Sequence, residues 1–508
     1  MMNLSKQNLA NIQTPVLSKP ADEIFSLPER ILQFGTGVLL RALPDYFVNE
    51  ANRQGVFNGR ILVVKSTSTG DTDAFVRQDG MYTLSIRGLD DGLVVNQPVI
   101  CSAISRVISA SHQWDEILKA AGNIQLKIII SNTTEVGVQL VKESIFQEPP
   151  VSFPGKLLAF LFERYKIFKG SPESGMIIIP TELLTDNGGK LKSIISELAA
   201  FNELESLFIS WLNMHNRFCS SLVDRIVPGM PDPESREKLE KYLGYTDDLM
   251  SVCEPYRLWA IEGDESVKKI LGFHIVDEGM VITPDITKFK ELKLRMLNAT
   301  HTLSCGLAYL SGFKTVKSAM EDKLFESYIE NLMMHEISPA IPYPIAEDDK
   351  HSFGRKVLDR FRNPYLQHQW LSITMQYSSK LAMRVLPVLN KYYELFKKPP
   401  ELISMGFAAY ILFMRPVKKD SDKYFGILDN QFYHINDDRA SEFFGLWDEG
   451  SVELVVNRIL SNDKLWAADL TLLNGFAASV TKKLKGFIRV GTIQEIMAYS
   501  KPTADSKP

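Results

Sequence analysis

The chain has 508 residues, 45% hydrophobic and 23% charged, with a formal net charge of −4, the make-up of a globular protein long enough for two or more domains. Slight acidity argues against nucleic acid as a partner, and four widely spaced cysteines without a CxxC pair argue against a disulfide framework or zinc site and suit a reduced, cytoplasmic protein. No apolar run reaches the roughly 18–20 residues of a membrane helix, and Met1–Lys19 lacks the apolar stretch of a signal peptide, so no membrane association is expected.

Residues 1–27, with Pro15 and Pro20, read as a polar N-terminal arm. Arg30–Phe34 is a short apolar run that predicts a strand, and Gly35-Thr36-Gly37 follows at once. Two glycines after a strand permit a tight turn and a close approach of backbone amides to a pyrophosphate. The third glycine of the dinucleotide fingerprint is replaced by Leu40. Proline is welcome in the first turn of a helix and poorly tolerated inside it. Pro44 therefore predicts a helix start near Leu43 and leaves Arg41 in the loop, free to reach a phosphate.

Gly59–Lys65 predicts the second strand. An acid near the end of this strand takes the ribose hydroxyls in NAD-binding units. Here the end is Lys65-Ser66-Thr67-Ser68-Thr69-Gly70, with no acid before Asp71. Such an end suits the 2′-phosphate of NADP and a plain exposed strand end equally well. Tyr82–Ile86 and Leu93–Gln97 predict a hairpin. Gln125–Ile130 predicts a strand running into the polar segment Ser131–Gly137, which includes Thr134 and Glu135. Ligands of open parallel sheets lie beyond such strand ends, although the same hydroxyls also serve as helix caps. Pro154–Phe168 reads as an amphipathic helix and Met176–Pro180 as a buried strand. This alternation predicts an α/β Rossmann-like domain over residues 28–284 with a largely parallel sheet. Asp224 and Arg225, and the run Glu254-Pro255-Tyr256-Arg257, mix charged with apolar residues as partly buried ion pairs do.

From residue 285 glycine becomes sparse and helical periodicity dominates, which predicts a mainly α-helical domain to residue 490 and a tail over 491–508. Its first helix spans Lys290–Leu310, with Leu292, Met296, Leu297, Leu303, Leu307 and Leu310 on the buried side. On a regular α-helix Lys293, Asn298 and His301 fall at roughly 0°, 140° and 80°. A cation, an amide donor and an imidazole in one sector suit proton transfer at a carbonyl or alcohol oxygen. Taken alone, the stretch also fits a solvated helix face. Charge clusters at Glu347–Lys350, Asp420–Asp422 and Asp437–Arg439 read as solvated loops or helix faces.

Gly35-Thr36-Gly37 with Arg41, Thr134-Glu135-Val136-Gly137, Val223–Pro228, Glu254–Arg257 and Lys293-x4-Asn298-x2-His301 together resemble the long-chain polyol-specific (mannitol) dehydrogenase family from about residue 28 to 485. The resemblance implies metal-independent, NAD-dependent oxidoreductase chemistry on an open-chain sugar, with Phe34, Gly35, Thr36, Gly37, Arg41, Thr134 and Glu135 toward the cofactor. It implies Lys293 as the catalytic lysine, Asn298 as the amide on the reacting oxygen, and His301 and Lys380 as substrate contacts, with Asp224 as a further expected substrate-binding residue. Two positions depart from mannitol-type members: Leu183 stands for an asparagine and Ser372 for an arginine. These departures, with the wording around Asn298 and around Asp359–Pro364, favour a sugar acid in place of a polyol. Arg257 and Arg362 are then the expected ligands of its carboxylate. A reductase of a related keto acid, a polyol-type dehydrogenase and a non-catalytic dinucleotide-binding protein are the competing readings.

Overall fold

The computed structural model describes residues 1–14, 17–67, 72–133, 137–448 and 450–500, the last three by backbone alone. The chain forms two compact units, Met1–Gly88 with Leu93–Ile286, and Leu89–Gly92 with the chain from Thr287 onward.

The first unit is built on β1 (Glu29–Phe34), β2 (Arg60–Lys65), β3 (Ile104–Ser109), β4 (Ile128–Ser131), β5 (Ile177–Pro180) and β6 (Arg217–Phe218). They form one six-stranded sheet in the order β3-β2-β1-β4-β5-β6, with every neighbouring pair parallel. The strands are rich in branched aliphatic residues because both faces are covered. Ile31, Val63, Ile128 and Ile179 enter one core; Leu32, Leu62, Ile129 and Ile178 enter the other. The order reverses between β1 and β4, which leaves a crevice beyond the carboxyl ends of those two strands.

Two segments of this unit differ from expectation. After Gly37 the chain makes a short helix α1 (Val38–Ala42), breaks at Leu43 (φ −132°), and resumes as α2 (Pro44–Arg53). Pro44 interrupts a helix already begun, because its ring and missing N–H act only on the preceding turn. The first 27 residues are no free arm. Leu4, Leu9, Ile12 and Leu17 pack with Leu239, Leu243 and Tyr245, and Met2–Asn3 pairs in parallel with Tyr245–Thr246. Farther along, helix α3 spans Phe153–Phe168, started by the Ser152 hydroxyl, which accepts from Gly155 N.

The second unit is mainly helical. Its first helix runs from Thr287 and is a π-helix over Leu292–Ala299 before becoming α4 (Thr300–Leu310). A second π-helix, Leu332–Ile337, follows Lys323–Asn331. The longer helices α5 (Glu347–Arg362), α6 (Tyr377–Phe396) and α7 (Glu401–Phe413) surround α4 or pack near it. Helical structure continues through Thr492–Ser500, where Ile496 is buried, so the tail expected from residue 491 is folded in its first part; Lys501–Pro508 lie outside the described residues. Lys418–Asp420, Lys423–Leu428 and Gln431–Ile435 form an antiparallel meander not foreseen from the sequence, and the solvated charges expected at Asp420–Asp422 lie at its exposed first turn. Its second turn is Asp429-Asn430, both at positive φ, the signature of a two-residue hairpin.

Candidate active site

In the first unit a cavity of about 600 Å³ opens at the carboxyl ends of β1, β2 and β4. Phe34, Gly35 and Thr36 line it, as do Lys65, Ser66 and Thr67 and, after β4, Asn132 and Thr133. Phe34 is buried against Phe153 of α3, with ring centroids 5.2 Å apart. Gly35 sits at φ +127°, and a Cβ there would lie 2.9 Å from Leu40 Cδ1 and 3.0 Å from the Asn132 carbonyl oxygen. The turn therefore demands glycine. Gly37 is different: φ is −63° and a Cβ would meet nothing within 4 Å. The space over it is open.

The expected polar segment after β4 is held by a residue the sequence did not mark as functional. Glu182 accepts from Thr133 N (2.8 Å), Ser131 Oγ (3.2 Å) and Thr133 Oγ1 (3.3 Å). Burial raises its pKa above the ordinary carboxylate value against the pull of these donors. Asn132 Nδ2 donates to Thr181 Oγ1 at 2.9 Å. Thr134 and Glu135 lie outside the described residues. Lys65 is buried, where an exposed strand end was one expectation, and donates to the Thr67 carbonyl at 2.6 Å.

Several expected ligands are engaged elsewhere in this unit. Arg41 is part of α1, buried, donating to the Leu249 carbonyl and lying 5.3 Å from the centre of the Tyr82 ring. It is a brace and not a loop residue reaching for phosphate. Arg225 Nε donates to the Glu254 carbonyl at 2.9 Å, and Glu254 Oε1 accepts from Ile226 N at 2.6 Å. Arg257 is paired with Asp277 at 2.6 Å. Asp224 is buried at the end of the strand Ser221–Asp224.

In the second unit the π-helix carries both Lys293 and Asn298, each half-buried. Hydrogen bonding from i to i+5 widens the turn, so residues five apart lie about one turn apart on the same side. The regular α-helix assumed from sequence separated them by roughly 140°. Thr302 Oγ1, next to His301, donates to the Asn298 carbonyl at 2.8 Å and ties the two segments. Arg295 pairs with Glu291 at 2.9 Å and donates to the carbonyls of Met383 (2.8 Å) and Arg384 (2.9 Å) on α6. Pro387 lies four residues after Met383 and cannot supply the helical N–H that carbonyl would otherwise receive. The arginine supplies the donor, fixing the π-helix against α6.

His301 lies among Phe361 (ring centroids 4.1 Å apart), His368 (5.3 Å) and Trp370 (5.8 Å). Desolvation, then His368, Arg360, Arg384 and Lys380, hold its pKa well below the ordinary histidine value, so the ring is neutral at neutral pH. Lys380 donates to the Ile373 carbonyl at 3.1 Å and its pKa is lowered by burial and by Arg384. Arg362 is paired with Glu326 at 2.7 Å. The structure thus brings Lys293, Asn298, His301 and Lys380 into one unit, and adds Arg360, His368 and Arg384 around the imidazole. None of these three was expected at the site from the sequence; their placement around His301 exists only in the fold.

A family model described as the mannitol dehydrogenase Rossmann domain matches residues 29–273, and one described as the mannitol dehydrogenase C-terminal domain matches 285–488. The chain is 36% identical to an altronate oxidoreductase of Halalkalibacterium halodurans over 92% of this chain and 93% of that protein. It is 36% identical to the altronate oxidoreductase of Bacillus subtilis, over 94% of this chain and 96% of that one. A mannitol 2-dehydrogenase of Pseudomonas fluorescens, solved as a ternary complex with NAD and D-mannitol, shares the fold at a TM-score of 0.70, with 22% identity over 99% of this chain and 100% of that one.

Proposed function

The chain belongs to the mannitol dehydrogenase family and is an oxidoreductase acting on CH–OH groups; from that premise we propose that it interconverts D-tagaturonate and D-altronate with NAD as the redox partner. The observation that carries this reading is the stacking of Lys293 and Asn298 on one side of a π-helix, a turn before His301, in a chain whose full-length relatives act on altronate.

The first unit suits a dinucleotide. Its cavity lies at the reversal of strand order, the turn at Gly35 is tight, and the space over Gly37 is open. Gly35, Thr36 and Gly37 would take the pyrophosphate side, and Phe34, Asn132 and Thr133 the walls. NAD, when bound, supplies hydride transfer at the substrate carbon. What the chain itself does concerns the substrate oxygen. In the reducing direction that oxygen gains negative charge; the Asn298 amide donates a hydrogen bond to it and the Lys293 ammonium gives up a proton. In the oxidising direction the Lys293 amine removes the hydroxyl proton. Neutral His301 orients a neighbouring hydroxyl without competing for that proton.

Lys293→Ala is expected to lower kcat by at least ~100-fold, the usual worth of positioned acid–base catalysis, while NADH still binds. The measurement is NADH absorbance with tagaturonate, fructuronate and fructose, alongside fluorescence titration of NADH. Near-wild-type turnover in the variant removes Lys293 from its role; preference for fructose over both acids removes the acid substrate.

A further inference from the structure

The sequence expected Arg257 and Arg362 to hold a substrate carboxylate. Each is instead held by a carboxylate of the chain, Asp277 and Glu326. An arginine already paired with an acid offers an incoming acid little, since the new pair would compete with the old one. A carboxylate subsite near the reacting oxygen needs a cation whose own partners are neutral.

Arg384 meets that requirement. It stands on α6 one turn after Lys380, so both side chains share a helix face. Its Nη1 donates to the Thr302 hydroxyl at 3.1 Å, beside His301. Its Nε is buried and has no hydrogen-bond partner. No carboxylate of the described residues pairs with it; the nearby Cys305 thiol is kept neutral by burial, and the carboxylate facing this cluster, Asp437, acts on Lys380 and accepts from Ser378 N at 2.7 Å. The backbone of Arg384 is also fixed, because Arg295 of the π-helix donates to its carbonyl at 2.9 Å. The guanidinium is therefore held in place by neutral groups, with one N–H left over, in the same cluster as the imidazole proposed to touch substrate.

We propose that Arg384, with Lys380 one turn before it, binds the substrate's carboxylate and sets the preference for a sugar acid over a neutral ketose. The inference rests on the reading that this unit takes a sugar acid. A planar guanidinium fits a carboxylate with two parallel hydrogen bonds, which an ammonium does not. A neutral polyol would leave the Nε unpaired and the cation desolvated, and that penalty is the source of discrimination. The acid end of the substrate would then lie toward α6 and the reacting oxygen toward Lys293 and Asn298 on the π-helix.

The test compares kcat/KM for tagaturonate with kcat/KM for the ketose carrying CH2OH in place of the carboxylate, using wild type, Arg384→Met and Arg384→Lys. Loss of a buried charge-assisted pair predicts that the acid-to-ketose ratio falls about 30- to 300-fold in Arg384→Met. Arg384→Lys should recover part of the ratio, which a purely structural role would not produce. A ratio within threefold of wild type in both variants overturns the proposal. Should Arg384→Met fail to fold, Arg384→Lys alone decides by the same ratio. If wild type turns over no sugar acid, the reaction assigned above fails, and Arg384 is then judged separately by calorimetry with altronate and with the corresponding hexitol. Tighter binding of altronate by wild type, erased in Arg384→Met and partly kept in Arg384→Lys, supports the subsite; equal binding of both by wild type, or a preference unchanged in Arg384→Met, overturns it.

Discussion

Two glycines that look alike in the sequence separate cleanly at the level of single residues. Gly35 is favoured by the backbone and by its neighbours, since at φ +127° any side chain is strained and a Cβ would lie 2.9 Å from Leu40 Cδ1 and 3.0 Å from the Asn132 carbonyl oxygen. Gly35→Ala should cost about 1–3 kcal/mol of stability, the usual range for a residue forced into such backbone. Gly37→Ala has neither problem. Its melting temperature should match wild type while its Kd for NADH rises, and thermal unfolding with a fluorescence titration distinguishes the pair. The sequence made Gly35-Thr36-Gly37 and Lys293-x4-Asn298-x2-His301 legible because both depend on local spacing. The acids that engage the expected carboxylate ligands, Arg257 and Arg362, were not legible for an equally physical reason. Whether an arginine is available depends on the acid opposite it, and Asp277 is 20 positions from Arg257 while Glu326 is 36 from Arg362. Glu182 escaped notice likewise, since its donors arrive from another strand.

Helix type was hidden for a related reason. The apolar spacing of residues 290–310 fits a regular helix, and nothing in it announces a switch from i→i+4 to i→i+5 bonding. The second π-helix, Leu332–Ile337, is joined to α7 through one side chain. Its Glu336 is buried and accepts from Leu402 N at 2.9 Å and Ile403 N at 2.8 Å, capping the first turn of α7. Burial raises its pKa to about 7 from an ordinary 4.5. In this window the folded state holds a proton that the unfolded state has released, so stability falls as pH rises from about 4.5 to about 7 and is fully present only below it. The loss is on the order of 3 kcal/mol. Glu336→Gln keeps an acceptor for the α7 amides and cannot ionise. Urea denaturation between pH 4.5 and 8 should show the wild-type minus variant difference changing in that window; a pH-independent difference would mean that Glu336 does not titrate there.

At the scale of the molecule, the order of strands and helices was readable because hydrophobic period and turn residues report directly on fold class. The small meander at Lys418–Ile435 was not, because short strands carrying exposed charges read as loops until Asp429-Asn430 is recognised as a hairpin turn. Three of the chain's hydrophobic clusters lie wholly within the first unit. Residues 1–286 expressed alone should therefore unfold cooperatively on heating and bind NADH while turning over no substrate; a fragment that melts without cooperativity, or does not bind the nucleotide, would show that its core needs the rest of the chain. Apart from the hairpin tip Leu89–Gly92, the polypeptide passes from one unit to the other between Ile286 and Thr287. Lys293 comes only a few residues later, and every residue assigned here to the substrate follows it, whereas every described residue assigned to the nucleotide precedes it. In genetic terms the boundary is a natural breakpoint. A single recombination there would let a lineage inherit a new substrate preference whole, while leaving its dinucleotide site as its ancestors had it.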